Sequence, residues 1–93
     1  MRILISGPDG FIGSNLSKKL MDRGITIEGI GKRRSLDFKI HQVNLKNIHK
    51  LKKVIKKNYY DVAIHLAGKT EEKDMVTMFE DNVLTTLNFL EVC

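Results

Sequence analysis

Several features are scarce in this sequence, and each absence narrows what the chain is. It has one cysteine in 93 residues, which excludes an internal disulfide and fits a reducing compartment, so a cytoplasmic location is expected. No apolar run approaches the roughly 20 residues that a membrane helix needs, so no membrane partner is expected. Met1-Arg2 leads straight into a short strand-like run, which is too short for a signal peptide. His41 and His49 stand in no cysteine or carboxylate pattern at metal-ligand spacing, so no metal site is expected. No repeat, low-complexity tract or domain linker stands out.

What is present reads as one small soluble globular domain, with 42% hydrophobic and 29% charged residues. The net charge is +5. Much of the excess lies in Lys32-Arg33-Arg34 and in the stretch from Lys46 to Lys57. The second reads as the polar face of one helix, and nucleic acid is not expected as a partner.

Hydrophobic periodicity divides the chain into alternating strands and helices. Ile3-Leu4-Ile5, bounded by Gly7-Pro8, predicts a buried strand over 2–6. Ile12, Leu16 and Leu20 recur at helical spacing, which predicts a helix over 10–23 ended by Gly24. Residues 25–30 read as a second strand, 31–37 as a polar basic loop and 38–43 as a third strand. Asn47 is placed to cap a helix running through Lys57, with Ile48, Leu51, Val54 and Ile55 on one face. Residues 61–66 form a fourth apolar run, followed by the loop Ala67-Gly68-Lys69-Thr70. A helical pattern starts near Asp74, with Phe79, Val83, Leu87 and Leu90 on one side.

This alternation predicts an α/β fold of three layers, a doubly wound parallel sheet of Rossmann type. Right-handed crossovers give the strand order 3-2-1-4. Such a sheet would continue with further strands. The sequence stops inside an apolar helical pattern at Leu90-Glu91-Val92-Cys93. The expectation is therefore an incomplete, truncated sheet, with 1–93 as the N-terminal part of its domain.

Gly7, Gly10 and Gly13 sit between the first strand and the first helix. Gly7 permits a tight turn, Gly10 lets the backbone approach a phosphate, and Gly13 lets the helix pack close to the sheet. Phe11 and Ile12 lie at the helix N-terminus, whose unpaired amides and partial positive charge suit a pyrophosphate. The spacing is G-x-x-G-x-x-G, one residue longer in its first step than the G-x-G-x-x-G fingerprint. Pro8 has no N–H to donate. Asp9 puts a carboxylate near that anion, which is tolerable only if it points away.

Ser6 to Leu16, SGPDGFIGSNL, resembles the opening of the extended short-chain dehydrogenase/reductase family, the NAD-dependent epimerase/dehydratase group. Three more stretches match in order. Val43-Asn44-Leu45 falls where the family has a short motif that contacts adenine, with Asn44 in place of its usual aspartate. Residues 61–68, DVAIHLAG, resemble the family's fourth strand and the loop along the cofactor. Asn82-Val83 with Asn88-Phe89-Leu90 resembles the helix that follows. The resemblance implies an oxidoreductase, epimerase or dehydratase of nucleotide sugars with a bound nicotinamide. The family's catalytic Tyr-x-x-x-Lys pair is absent: four positions after Tyr59 and Tyr60 stand Ala63 and Ile64. No catalytic residue is therefore assigned, and no activity is expected of this chain alone.

The resemblance assigns Gly7, Gly10, Phe11, Ile12 and Gly13 to the pyrophosphate, and Asn44 and Leu45 to adenine. Leu66, Ala67 and Gly68 fall beside the ribose and nicotinamide, and Asn82 is a further cofactor-binding candidate. The second strand of such sheets normally ends in an acid that bonds the ribose 2′-hydroxyl of NAD. Gly31 stands there, followed by Lys32, Arg33 and Arg34. Losing the carboxylate removes repulsion of a 2′-phosphate, and guanidinium groups add charge-assisted bonds to it, so NADP is expected over NAD. The alternative is a non-catalytic NADP-binding sensor or an interaction module. Family members commonly dimerise through the helix that ends this sequence, so a homodimer through it is a further expectation.

Other reactive side chains have plain structural readings. His65 supports the fold. Tyr59 and Tyr60 are packing residues before a strand, and Met75 and Met78 pack on the final helix. His41 and His49 lie at the surface or the core edge, and Cys93 has no base beside it.

Overall fold

The computed structural model describes residues 1–32, 37–57, 59–67 and 75–92. Expectations on Arg33, Arg34, Gly68, Lys69, Thr70, Asp74 and Cys93 lie outside the described residues, as do those on the side chains of Met78 and Phe79.

Every predicted element forms. The order is β1 (Arg2–Ser6), α1 (Phe11–Asp22), β2 (Thr26–Gly31), β3 (Lys39–Gln42), α2 (Ile48–Lys57), β4 (Val62–His65) and α3 (Met75–Val92). The four strands make one sheet in the order β3-β2-β1-β4, with every pairing parallel. The register sets Ser6 at the end of β1 beside Ile30 and His65.

Alternation along the strands divides the core into two faces. Ile3, Ile5 and Ile27 pack against Leu16, Leu20 and Met21 on the α1 side. Leu4 and Ile30 pack with Leu51 of α2 and Phe89 of α3 on the other. The sheet is thus covered on both faces, as a parallel sheet requires.

The helix ends follow their sequence signals. Gly24 has φ +79. Its amide bonds to the Met21 carbonyl and that of Ile25 to the Leu20 carbonyl, which is the Schellman arrangement of a glycine after a helix. Asn47 caps α2 through a 3.2 Å bond from the Lys50 amide to its Oδ1.

Two assignments change. Tyr59 is 73% exposed, so packing does not account for it. Met75, the first residue of α3, is 78% exposed and is not a packing residue. The apolar side of α3 also differs from its packed side. Asn88 and Phe89 are buried, whereas Val83, Leu84, Leu87 and Leu90 are exposed.

A polar cluster anchors the far end of the sheet. Glu28 is buried on β2 and accepts hydrogen bonds from Arg2, from His41 Nε2 at 2.8 Å and from the Tyr60 hydroxyl at 3.1 Å. Burial pushes the Glu28 carboxyl upward. The bonds from Arg2, His41 and Tyr60 outweigh it, and the group lies below the ordinary value of 4.5. The Arg2 guanidinium also lies 5.2 Å from the centre of the Tyr60 ring.

Candidate functional site

The sheet changes direction between β1 and β4. α1 carries the chain outward to β2, and α2 returns it to the other side of β1. Ligands of such sheets bind where the strand order reverses, beyond the carboxyl ends of the strands. A cleft of about 570 Å³ lies there.

The cleft collects most of the residues expected from the sequence. Gly7 and Gly10 of the turn, Lys32 after β2, Asn44 and Leu45 after β3, Leu66 and Ala67 after β4, and Asn82 of α3 all line it. Asp9, Ile30, Gly31, Val43, Lys46 and Thr85 line it too and were not assigned from the sequence. Thr85 follows from Asn82, being three residues on along the same helix face. Phe11 and Ile12 are 86% and 65% exposed, and their side chains are not part of the cleft wall. Their contribution is confined to the backbone. The helix ladder begins with the Ser14 amide on the Gly10 carbonyl at 2.8 Å, and no side chain caps the helix start at Gly10. The amides of Phe11, Ile12 and Gly13 therefore precede the ladder and are the orphan donors of the helix N-terminus.

The three glycines are needed for different reasons. Gly7 has φ +70, and a Cβ there would lie 2.8 Å from the Ala67 amide nitrogen. A Cβ on Gly13 would come within 2.0 Å of the Gly7 carbonyl oxygen. Both are fixed by the fold. Gly10 differs, because a Cβ there meets only the Gly7 carbonyl oxygen at 3.5 Å, an ordinary contact, and its φ of −72 suits any residue. Nothing within the described protein requires glycine at this position on the cleft wall.

Asn44 shows what its amide does locally. Its Oδ1 accepts the Lys46 amide at 2.9 Å, an Asx turn that a carboxylate forms equally well. Leu45 is 8% exposed and belongs to the core, and its carbonyl accepts 2.9 Å from Asn88 Nδ2. The side of the cleft formed by Asn44 and Leu45 is therefore tied to α3.

A second hydrogen-bond chain ties the opposite wall. The Thr86 hydroxyl donates to the Asn82 carbonyl at 2.7 Å. Its single proton is thus spent, so at 3.0 Å it accepts from His65 Nε2. His65 Nδ1 is then an acceptor and takes the Ser6 hydroxyl proton at 2.6 Å. Ser6 Oγ in turn accepts the amides of Leu66 at 3.0 Å and Ala67 at 3.2 Å. His65 also stacks on Phe89 with centroids 4.8 Å apart. Burial holds its imidazole below the ordinary 6.5, in keeping with a neutral ring carrying its proton on Nε2. This is a structural histidine, as expected, and it braces two walls of the cleft.

A larger groove of about 790 Å³ lies between α1 and β3, lined by Ser14, Asn15, Lys18, Phe38 and Ile40 among others. None of the sequence-assigned residues lines it. Among the described residues, no group of three or more His, Cys, Asp or Glu side chains could hold a metal. No helix among them is long and apolar enough to cross a membrane.

The family model of the NAD dependent epimerase/dehydratase family matches residues 3–93. The chain belongs to that family. Among its relatives, dTDP-D-glucose 4,6-dehydratase of Dictyostelium discoideum is 32% identical over 99% of this chain and 26% of its own length. CDP-paratose 2-epimerase of Salmonella typhi is 32% identical over 98% of this chain and 32% of its own. UDP-glucose 4-epimerase of Thermus thermophilus, solved in complex with NAD, superposes with a TM-score of 0.88 at 30% identity, covering the whole chain and 33% of that structure. The 93 residues thus span about a third of these family members or less. The doubly wound fold read from the sequence is the fold of these epimerases.

Proposed function

We propose that this chain is the part of a nucleotide-sugar epimerase, dehydratase or reductase that holds the nicotinamide dinucleotide. The single observation that carries the reading is Gly10. It lines the cleft at the head of α1, and the fold itself does not require a glycine there. What a side chain would obstruct is a ligand approaching the helix N-terminus, where the orphan amides of Phe11, Ile12 and Gly13 suit a pyrophosphate. The related Thermus thermophilus epimerase has been solved with NAD, which supports the same ligand class here.

In this reading Gly7, Gly10 and Gly13 admit the pyrophosphate, Asn44 and Leu45 hold the adenine, and Leu66, Ala67 and Asn82 flank the ribose and nicotinamide. A bound nicotinamide supplies the means to accept or return a hydride at a sugar carbon. The catalytic and substrate-binding residues belong to sequence outside these 93 residues, in keeping with the share of its relatives that the chain spans and with the missing Tyr-x-x-x-Lys.

NADP is the favoured cofactor, because Gly31 offers no carboxylate of its own and Lys32 stands at the cleft. The exposed row of Val83, Leu84, Leu87 and Leu90 is the surface on which a second copy docks. The location is cytoplasmic, in keeping with the lone cysteine. Calorimetric titration of the 93-residue chain with NAD and NADP tests the assignment. Both bind, NADP more tightly, and Lys32→Ala weakens NADP selectively. Equal affinities for the two would remove the NADP preference, and no binding of either would remove the function.

A further inference from the structure

β2 ends without an acidic side chain, yet a carboxylate stands beside its end. A Cβ built on Gly31 would lie 4.0 Å from Oδ1 of Asp9, and Asp9, Gly31 and Lys32 line the same cleft. Packing sets this neighbourhood. Pro8 is buried, and its ring lies over the strand: Cγ is 2.8 Å from the Cβ that Gly29 lacks, and Cδ is 3.6 Å from one on Gly31. Two glycines on one face of β2 make the seat, and the proline fills it together with Ile40 of β3, whose Cδ1 is 2.6 Å from the Cβ that Gly29 lacks. The rigid ring then delivers the next residue, Asp9, to the end of the strand. A side chain growing from position 31 would reach toward the space that the Asp9 carboxylate already borders. Its contacts there, at 3.6 to 4.0 Å, are ordinary ones, so the fold leaves room for an acid at 31 while supplying one from the turn.

We propose that Asp9 does the work of the missing strand-end acid: it accepts a hydrogen bond from the 2′-hydroxyl of NAD and opposes the 2′-phosphate of NADP. Asp9 is then a cofactor-specificity residue displaced from the strand into the glycine turn. It sets an upper limit on the NADP preference that Lys32 provides. The proposal rests on the dinucleotide reading above. A hydroxyl donates to a carboxylate, whereas a phosphate carries two charges of the same sign as Asp9 at the same place.

The test is a set of affinities for the wild-type chain, Asp9→Asn, and the double variant Asp9→Asn/Gly31→Asp. The ligands are NAD and NADP, with AMP and adenosine 2′,5′-bisphosphate as probes confined to that end of the cofactor. Circular dichroism confirms that each variant is folded. Asparagine keeps an acceptor for the hydroxyl and removes the charge. In Asp9→Asn the NADP-to-NAD affinity ratio rises about tenfold, as expected for removing one like charge in a partly exposed cleft. The two adenosine probes move alike. Returning the acid to position 31 brings the ratio back toward wild type. If the wild type binds both cofactors and the ratio is unmoved in Asp9→Asn, the role of Asp9 is wrong and the dinucleotide reading stands. If the wild type binds neither cofactor nor probe, both fall.

Discussion

Gly10 and Gly13 are three residues apart in one turn, and the structure asks different things of them. A Cβ at Gly13 would overlap the Gly7 carbonyl oxygen at 2.0 Å, and backbone atoms cannot swing aside as a side chain can. Gly13→Ala is therefore expected to lower stability by about 1–3 kcal/mol. Gly10→Ala is expected to cost less than about 1 kcal/mol, the loss of a glycine N-cap. Urea midpoints of the two variants check this difference, and equal losses would contradict the steric assignment. The His65 chain yields a second prediction at this scale. Burial keeps the folded imidazole below its ordinary 6.5. As pH falls through about 6.5 the unfolded chain takes up a proton that the folded chain resists. This contribution to stability is complete above 6.5 and declines as pH drops from there toward the lowered folded value. Glu28, also lowered, loses its contribution further down, as pH falls from its ordinary 4.5 through its folded value. Stability measured from pH 8 to pH 4 should thus fall in its upper part in the wild type and less so in His65→Gln. An unchanged upper part in that variant would contradict the role given to His65.

At the scale of elements, α3 is the helix whose two sides disagree most with its composition. Its packed side carries Thr86, Asn88 and Phe89, and its exposed side carries Val83, Leu84, Leu87 and Leu90. Exposed apolar rows of this kind promote association. The chain is expected to self-associate at high micromolar concentration, and Leu87→Lys to shift it to monomer without loss of helix. Sedimentation checks this, and a monomeric wild type across the concentration range would refute it. The same helix shows where sequence reading has its limit. Periodicity places the elements because aliphatic residues at spacings of two and of 3.6 have one local meaning. It located β1, α1, β2, α2 and β4 within a residue or two. It does not say which side of α3 faces the sheet. There the packed side is chosen by polar partners, Thr86 to His65 and Asn88 to the Leu45 carbonyl, and these are distant in sequence. The seat of Pro8 was hidden for a similar reason. Gly29 and Gly31 alternate on one face of β2, which signals a close approach, but only the fold reveals that the approaching groups are Ile40 of β3 and the proline of the turn.

At the scale of the whole molecule, four strand ends converge on one cleft because the strand order reverses at β1. That topology follows from the β-α-β alternation and the handedness of crossovers, both legible in the sequence. It explains why residues as far apart as Gly7, Asn44, Ala67 and Asn82 line one cleft. Among the described residues the cleft is lined by glycines, amides and aliphatic groups together with Asp9, Lys32, Lys46 and Thr85. A ligand held by all four strand ends should tie the fold together. NADP at about a hundred times its dissociation constant is expected to stabilise the chain by about 2.7 kcal/mol. This is read as a higher melting temperature, and an unchanged melting point at that excess would contradict it. The cleft at the head of α1 is proposed to hold the pyrophosphate. Calorimetry of Gly10→Val with NADP, beside the wild type and with matched thermal midpoints, tests it most directly. The wild type is expected to bind, and the valine variant, still folded, to lose binding by at least about a hundredfold, or about 2.7 kcal/mol. A folded valine variant that binds NADP as well as the wild type would contradict it.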